Sequence, residues 1–301
     1  MPRRTTLGAR LARMGFADPA QAERLAGGDL ALDIGSGDAG VVAALAAAAD
    51  PDLALAALAR MPRDTELLTA LHQDADLARR LALVLGASAA LGDHLARHPE
   101  GWRLLRGPEP LACPPAGELR SALLTAVGAD PGAPEPVAVA GPDAGPATLL
   151  RVAYRERLLH LAARDLTGQM AIGDVAAELA DLAAAALEAA LAIARSQLPA
   201  GAAPCRLAVI AMGKCGGREL NYASDVDVIF AAEPAEGAPG DGNGAALHTA
   251  TQLAAGMIRV CSQSTAEGIL FPVDPNLRPE GRDGPLVRTL ASHREIGRAH
   301  V

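Results

Sequence analysis

The hydrophobic period of this chain changes near Pro204, and that change limits the folds open to it. Before it, apolar residues recur every three or four positions, as in Leu67, Leu68 and Leu71 and then Leu77, Leu81 and Leu85. That is the spacing of one buried helix face. After it, Arg206-Leu-Ala-Val-Ile-Ala-Met212 and Ser224-Asp-Val-Asp-Val-Ile-Phe-Ala231 read as strands around a glycine turn. Gly268 to Asp274 predicts a third strand and Pro285 to Leu290 a fourth, with a helix from Ala245 to Gln263 and a loop from Glu233 to Gly244. A helical region followed by a few strands is the pattern of an α+β fold.

Helix breakers subdivide the first part. Asp18-Pro19, Asp50-Pro51, Met61-Pro62 and His98-Pro99 separate short helices, and Asp64 before Thr65-Glu66-Leu67 reads as an N-cap. Residues 1–128 are therefore expected as a helical region and 129–147, rich in proline and glycine, as a linker or long loop. Residues 148–294 form the mixed region, opening on amphipathic helices from Leu149 to Leu166 and Val175 to Leu198. The first carries Arg151, Arg155, Glu156, Arg157, Arg164 and Asp165, a charge run expected to be a solvated face.

Composition excludes several functions. Aromatics are 2% of the chain and the net charge is -8, which argues against a single-strand stacking platform and a broad duplex-binding face. Four scattered cysteines with no C-x-x-C pair make neither a disulfide framework nor a zinc ribbon, and suggest a reducing, cytoplasmic setting. The alanine-rich run from Ala176 to Ala194 is interrupted by Glu178, Asp181 and Glu188, so no membrane span is expected. No continuous apolar segment follows Arg3, Arg4, Arg10 and Arg13, so no signal peptide is expected either. His94 and His98 are spaced like two metal ligands on a helix, but no third ligand is evident and a helix end before Pro99 is the simpler reading.

The chemistry concentrates between Gly213 and Asp274. In Asp225-Val226-Asp227 the period of a strand puts both carboxylates on one face, Cα atoms ~7 Å apart. Val226, Val228 and Phe230 then face the core. Two like charges on an otherwise apolar strand are costly unless cations balance them. Asp274 ends the third strand and supplies another carboxylate. Three carboxylates on neighbouring strands suit two Mg²⁺ ions, which at ~3.5–4 Å apart can serve the attacking and leaving oxygens of a displacement at phosphorus. Upstream, Gly213-Lys-Cys-Gly-Gly217 follows a strand and opens a helical stretch expected at Arg218 to Asn221; such a turn can present N–H groups to phosphate. It is neither a dinucleotide fingerprint nor a P-loop. Lys214 is the chain's single lysine.

Ala211-Met-Gly-Lys-Cys-Gly-Gly-Arg-Glu-Leu-Asn-Tyr-Ala-Ser-Asp-Val-Asp-Val-Ile-Phe230, with Phe271-Pro-Val-Asp-Pro-Asn-Leu-Arg-Pro-Glu-Gly281 and Gly284-Pro-Leu-Val287, resembles the glutamine synthetase adenylyltransferase/adenylyl-removing family. Leu91 to Pro99, Tyr154 to Leu161 and Ala163 to Leu166 fit it too. Cys215 stands where leucine is common, and Pro272 and Pro275-Asn276 depart from the pattern of some members.

The resemblance implies a polymerase-β-type nucleotidyltransferase domain, a small mixed sheet flanked by helices, behind the helical region. It implies an enzyme of the deadenylylating, N-terminal half. That half removes AMP from a tyrosine of glutamine synthetase by phosphorolysis; the sister reaction adenylylates it from ATP, and a third possibility is a non-catalytic fragment that docks glutamine synthetase or a PII protein. Asp225, Asp227 and Asp274 take the catalytic metal-carboxylate roles. Gly213, Lys214, Gly216, Gly217, Ser224 and Arg278 bind nucleotide or phosphate. Mg²⁺ is the implied cofactor, ADP or ATP and orthophosphate the reactants, and glutamine synthetase and a PII-type signal protein the partners. Arg218 is a further candidate to screen anionic charge. Glu295-Ile-Gly-Arg-Ala-His-Val301 is what a G followed by the adapter sequence AGATCGGAAGAGCACACGTC encodes, with a stop codon next. Residues 295–301 are accordingly expected to be an artefactual tail on a C-terminally truncated chain.

Overall fold

A computed structural model describes residues 7–30, 39–62, 64–107, 111–141, 144–235 and 242–299. Arg3 and Arg4, the middle of the glycine-rich loop expected over 233–244, and the last two residues of the tail lie outside them. The chain divides into two compact units, Met1–Cys113 with Leu158–Ala171, and Pro114–Arg157 with Ile172–Val301. These limits differ from the boundaries expected at 128 and 148: the helix Ala116–Ala126 and the proline-rich segment both fall in the second unit.

The first unit holds α1 (Leu7–Arg13), α2 (Pro19–Arg24), α3 (Ala39–Ala46), α4 (Pro51–Arg60), α5 (Thr65–Gln73), α6 (Ala75–Ala87) and α7 (Ala89–Arg97), then a 3₁₀ turn over Pro99–Leu105. The breakers act as start signals. Asp18, Asp50, Asp64, Asp74 and Ser88 each accept a backbone N–H of the helix that follows, and Pro19 and Pro51 stand at the first helical position, where no N–H is needed. Leu55, Leu58, Leu71, Leu77, Leu81, Leu85, Leu95 and Leu105 are buried around Trp102. The Trp102 indole N–H donates to Asp64 at 3.3 Å, so one carboxylate caps α5 and fixes the ring. His94 and His98 stack, ring centroids 5.0 Å apart.

In the second unit, α8 (Ala116–Ala126), the first part of α9 (Pro146–Leu166), α10 (Ile172–Ser196) and α12 (Gly242–Ser262) accompany a four-stranded sheet. The alanines that line α10 let both α8 and α12 pack against it. Its acids do not sit idle: Glu188 takes a bidentate pair from Arg120 of α8, at 2.8 and 2.6 Å. The proline-rich segment is pinned where it is described. Ala138 N–H donates to Ala192, Val139 N–H to Val127, and Arg120 and Arg195 donate to the carbonyls of Pro131 and Pro136.

The strands are β1 (Cys205–Ala211), β2 (Val226–Pro234), β3 (Val273–Asp274) and β4 (Val287–Thr289). β1 runs antiparallel to β2 along its full length, from Cys205 opposite Pro234 to Ala211 opposite Val228. β3 and β4 both pair parallel to β2, with Asp227 opposite Asp274 and Phe230 opposite Val287. The sheet is small and mixed, as expected. Val226, Val228, Phe230 and Ala232 are buried, and a Val or Phe removed from water contributes about 1.5–3 kcal/mol.

Three expectations are corrected. The helical stretch predicted after the glycine turn lies in the turn itself, as α11 (Gly213–Gly216). The third strand is only two residues, Val273–Asp274, and ahead of it the Leu270 N–H goes to the Cys261 carbonyl rather than to a neighbouring strand. The charge run of α9 is not a solvated face at Arg151 and Arg164, which are 1% and 2% exposed. The carbonyls that receive Arg151 supply what water would have supplied.

Candidate active site

The parallel pairing of β2 with β3 brings the three carboxylates together. Asp225 is exposed just ahead of β2, Asp227 is half-buried on it, and Asp274 ends β3 in register with Asp227. Each offers an oxygen within 4.8 Å of the others. The buried Val226 and Val228 pin the other face of the strand, which aims Asp227 outward. Asp274 Oδ1 also accepts the Asn276 N–H at 2.7 Å, a short turn that orients its carboxylate.

The glycine turn is built against these acids. Met212 N–H donates to the Asp227 carbonyl at 2.8 Å, which fixes the end of β1 to β2. Gly213 follows with φ of 52°, and a Cβ there would stand 2.4 Å from Asp227 Oδ2. Glycine is therefore required twice, for its left-handed backbone and for the space beside the carboxylate. At Gly216 a Cβ would stand 2.4 Å from the Ala211 carbonyl. The N–H groups of Gly216, Gly217, Arg218 and Glu219 close the turn on Met212, Gly213, Cys215 and Lys214. Those of Gly213, Lys214 and Cys215, at the start of the helical turn, have no intrahelical acceptor. Cys215 is buried beneath, and burial raises its thiol pKa.

Electrostatics single out Asp227. Burial pushes its carboxyl above the usual range, and the charges of Asp225 and Asp274 push it further; Lys214 partly offsets them. The Lys214 ammonium is exposed and makes no hydrogen bond or ion pair among the described residues. Three converging oxygens with a carboxylate held in an unfavourable anionic state fit a divalent-cation site, whose hard oxygen ligands these would be.

The other sequence candidates take different positions. Ser224 is half-buried beside Asp225. Arg278 spends its guanidinium on its own loop, donating to the carbonyls of Pro275, Arg282 and Gly284. Arg218, with φ of 59°, forms a bidentate pair with Asp181 of α10 rather than standing free beside the turn. Asp181 is thus a support of the glycine turn that the sequence conceals. An acid inside an otherwise alanine-rich face was the available signal, but periodicity does not say which loop it meets.

The chain is similar to known proteins along most of its length. A family model described as glutamate-ammonia ligase adenylyltransferase (GlnE) matches residues 78–296. Bifunctional glutamine synthetase adenylyltransferase/adenylyl-removing enzymes are similar over most of the chain. The one from Streptomyces avermitilis is 51% identical over 298 residues, 97% of this chain. Those from Streptomyces coelicolor and Mycobacterium tuberculosis are 50% and 43% identical over 97% and 93% of it. The chain spans 28% of the length of the two Streptomyces relatives. No helix among the described residues is long and apolar enough to cross a membrane. With its matched segment running through the glycine turn and all three carboxylates, the chain belongs to the glutamate-ammonia ligase adenylyltransferase family.

Proposed function

We propose that this chain removes AMP from an adenylylated tyrosine of glutamine synthetase by phosphorolysis, releasing ADP. The observation that carries the reading as a nucleotidyl-transfer site is the convergence of Asp225, Asp227 and Asp274 beside the Gly213 turn, and the direction of removal rests on the resemblance to the deadenylylating, N-terminal half. In the reaction an orthophosphate oxygen forms a new bond to the phosphorus of the adenylyl group while the bond to the tyrosine oxygen breaks. The products are ADP and tyrosine, and the phenolate leaving group takes up a proton. Tyrosine has a pKa of about 10, which makes it a moderate leaving group. Divalent cations, when bound, neutralise charge on the phosphoryl oxygens and on the leaving oxygen.

The protein's own residues supply position and charge. Asp225, Asp227 and Asp274 would hold the cations. Lys214, exposed and without a competing partner among the described residues, contributes a cation that offsets repulsion between two anionic reactants. The N–H groups of Gly213, Lys214 and Cys215 would receive phosphate oxygens. Arg278 and Arg218 shape the walls rather than meet substrate, since both guanidiniums are engaged. Orthophosphate is already an anion, so no strong general base is required. A PII-type signal protein as regulator and a cytoplasmic location belong to the same proposal.

Adenylylated glutamine synthetase incubated with this chain, Mg²⁺ and orthophosphate should release ADP, and omission of phosphate should abolish it. AMP incorporation into unmodified enzyme from ATP, without phosphate-dependent ADP release, would assign the site to the transfer reaction instead.

A further inference from the structure

Arg151 of α9 is 1% exposed, yet no carboxylate among the described residues pairs with its guanidinium. Its guanidinium is satisfied by backbone alone. Nε donates to the Gly268 carbonyl at 3.0 Å, one Nη to Ala147 at 2.7 Å, and the other Nη to Val260 at 2.7 Å and Gln263 at 2.8 Å. One turn along, Arg155 donates to the carbonyls of Glu267 and Ile269 at 3.2 and 3.4 Å. Together they grip both sides of the connection that leaves α12 and enters β3.

That connection delivers Asp274. β3 has two residues, too few for its own ladder to set a side chain firmly. Around the strand itself the ties are single bonds, among them Val226 N–H to Pro272, Leu270 N–H to Cys261, and Val273 N–H to the Ser262 hydroxyl, while Thr265 to Gly268 turns on itself. Carbonyls at the end of α12 carry the negative end of that helix dipole, which compensates a buried guanidinium. A planar fork with five donors can satisfy four carbonyls spread around it; an ammonium with three cannot.

We propose that Arg151 is a positioning residue for Asp274. By holding the α12–β3 connection it sets where that carboxylate stands relative to Asp225 and Asp227, and so sets the affinity of the trio for a divalent cation. The inference rests on the reading of the three carboxylates as a divalent-cation site.

Mn²⁺ titration of the full chain, followed by the loss of its free-ion electron paramagnetic resonance signal, tests it. Arg151→Lys, checked for folding by circular dichroism, should bind Mn²⁺ about 10-fold more weakly, the lower end of what outer ligand supports contribute. Arg120→Ala, which removes the pair with Glu188 in the same unit, should lower the melting temperature and leave Mn²⁺ affinity unchanged. Wild-type affinity in folded Arg151→Lys would overturn the proposal, whatever its melting temperature. An equal loss of affinity in Arg120→Ala would also overturn it, because affinity would then merely follow stability. If Arg151→Lys does not fold, Arg155→Met removes the weaker pair of bonds from the same connection and should lower affinity in the same direction; unchanged affinity there overturns the proposal. Wild-type chain that fails to bind Mn²⁺, or binds it equally after Asp227→Asn, would instead remove the cation-site reading on which the proposal stands.

Discussion

Asp227 is anionic at a cost in the metal-free protein. Burial, then Asp225 and Asp274, raise its pKa above the ordinary 3.8, so the folded state holds the proton to higher pH than the unfolded chain. Its contribution to stability is full below the unfolded value and is lost as pH rises through the folded one. Asp227→Asn should therefore raise the melting temperature of the metal-free chain at pH 7, with a smaller gain at pH 4, and Mg²⁺ should reverse the order by stabilising only the wild type. Thermal melts at the two pH values, with and without Mg²⁺, check this; a lower melting temperature for metal-free Asp227→Asn at pH 7 would contradict it. Gly213→Ala makes a companion test. A left-handed non-glycine residue costs about 1–2 kcal/mol, and the added Cβ must displace Asp227 Oδ2. Divalent-cation affinity should fall along with stability, and a variant that keeps its affinity would show that the turn does not set the carboxylate. The alternation of Asp225-Val226-Asp227-Val228 made this face legible in sequence. The engagement of Arg278 and Arg218 was not, because a guanidinium bonding carbonyls or a distant acid leaves no trace in spacing.

Elements whose boundaries depend on local chemistry match the sequence best. Asp64 caps α5 as its place before Thr65-Glu66-Leu67 predicts, and prolines begin α2 and α4. Asp64→Ala should lower stability by about 1 kcal/mol through the lost cap. The Asp64 carboxyl is drawn up by burial, but the Glu66 and Leu67 N–H groups, Trp102 and Arg103 hold it below 3.8 overall. Its contribution is therefore present above the unfolded pKa and disappears as pH falls through the folded one. Chemical denaturation of wild type and variant at pH 7 and pH 2.5 should show the gap closing; an equal gap at both would count against the cap. Elements held by distant partners were less legible. β3 is only two residues, and ahead of it Leu270 bonds to Cys261 at the end of α12 instead of to a strand. The close passage of α10 and α12 depends on Gly256, where a Cβ would stand 2.9 Å from the Ala194 methyl. Gly256→Val should overpack that crossing by about 1–3 kcal/mol.

At the scale of the chain, the α+β class follows from the single change of hydrophobic period and the small mixed sheet from the family resemblance, whereas the two compact units follow from neither. α9 contributes to both units, and the proline-rich segment that reads as a boundary is bonded to α8 and α10. Linker-like composition and a packed segment are indistinguishable until their carbonyls are seen to be used. The C-terminal helix α13 (Leu290–Ala299) is tied to the sheet by Leu290 N–H to Glu233 and by His293 to the Phe230 carbonyl. The central claim, that the three acids and the glycine turn form one nucleotide and metal site, is tested most directly by calorimetric titration of ADP into this chain. Binding should require Mg²⁺ and vanish in Asp225→Asn/Asp227→Asn; binding without Mg²⁺, or undiminished in that variant, would contradict it.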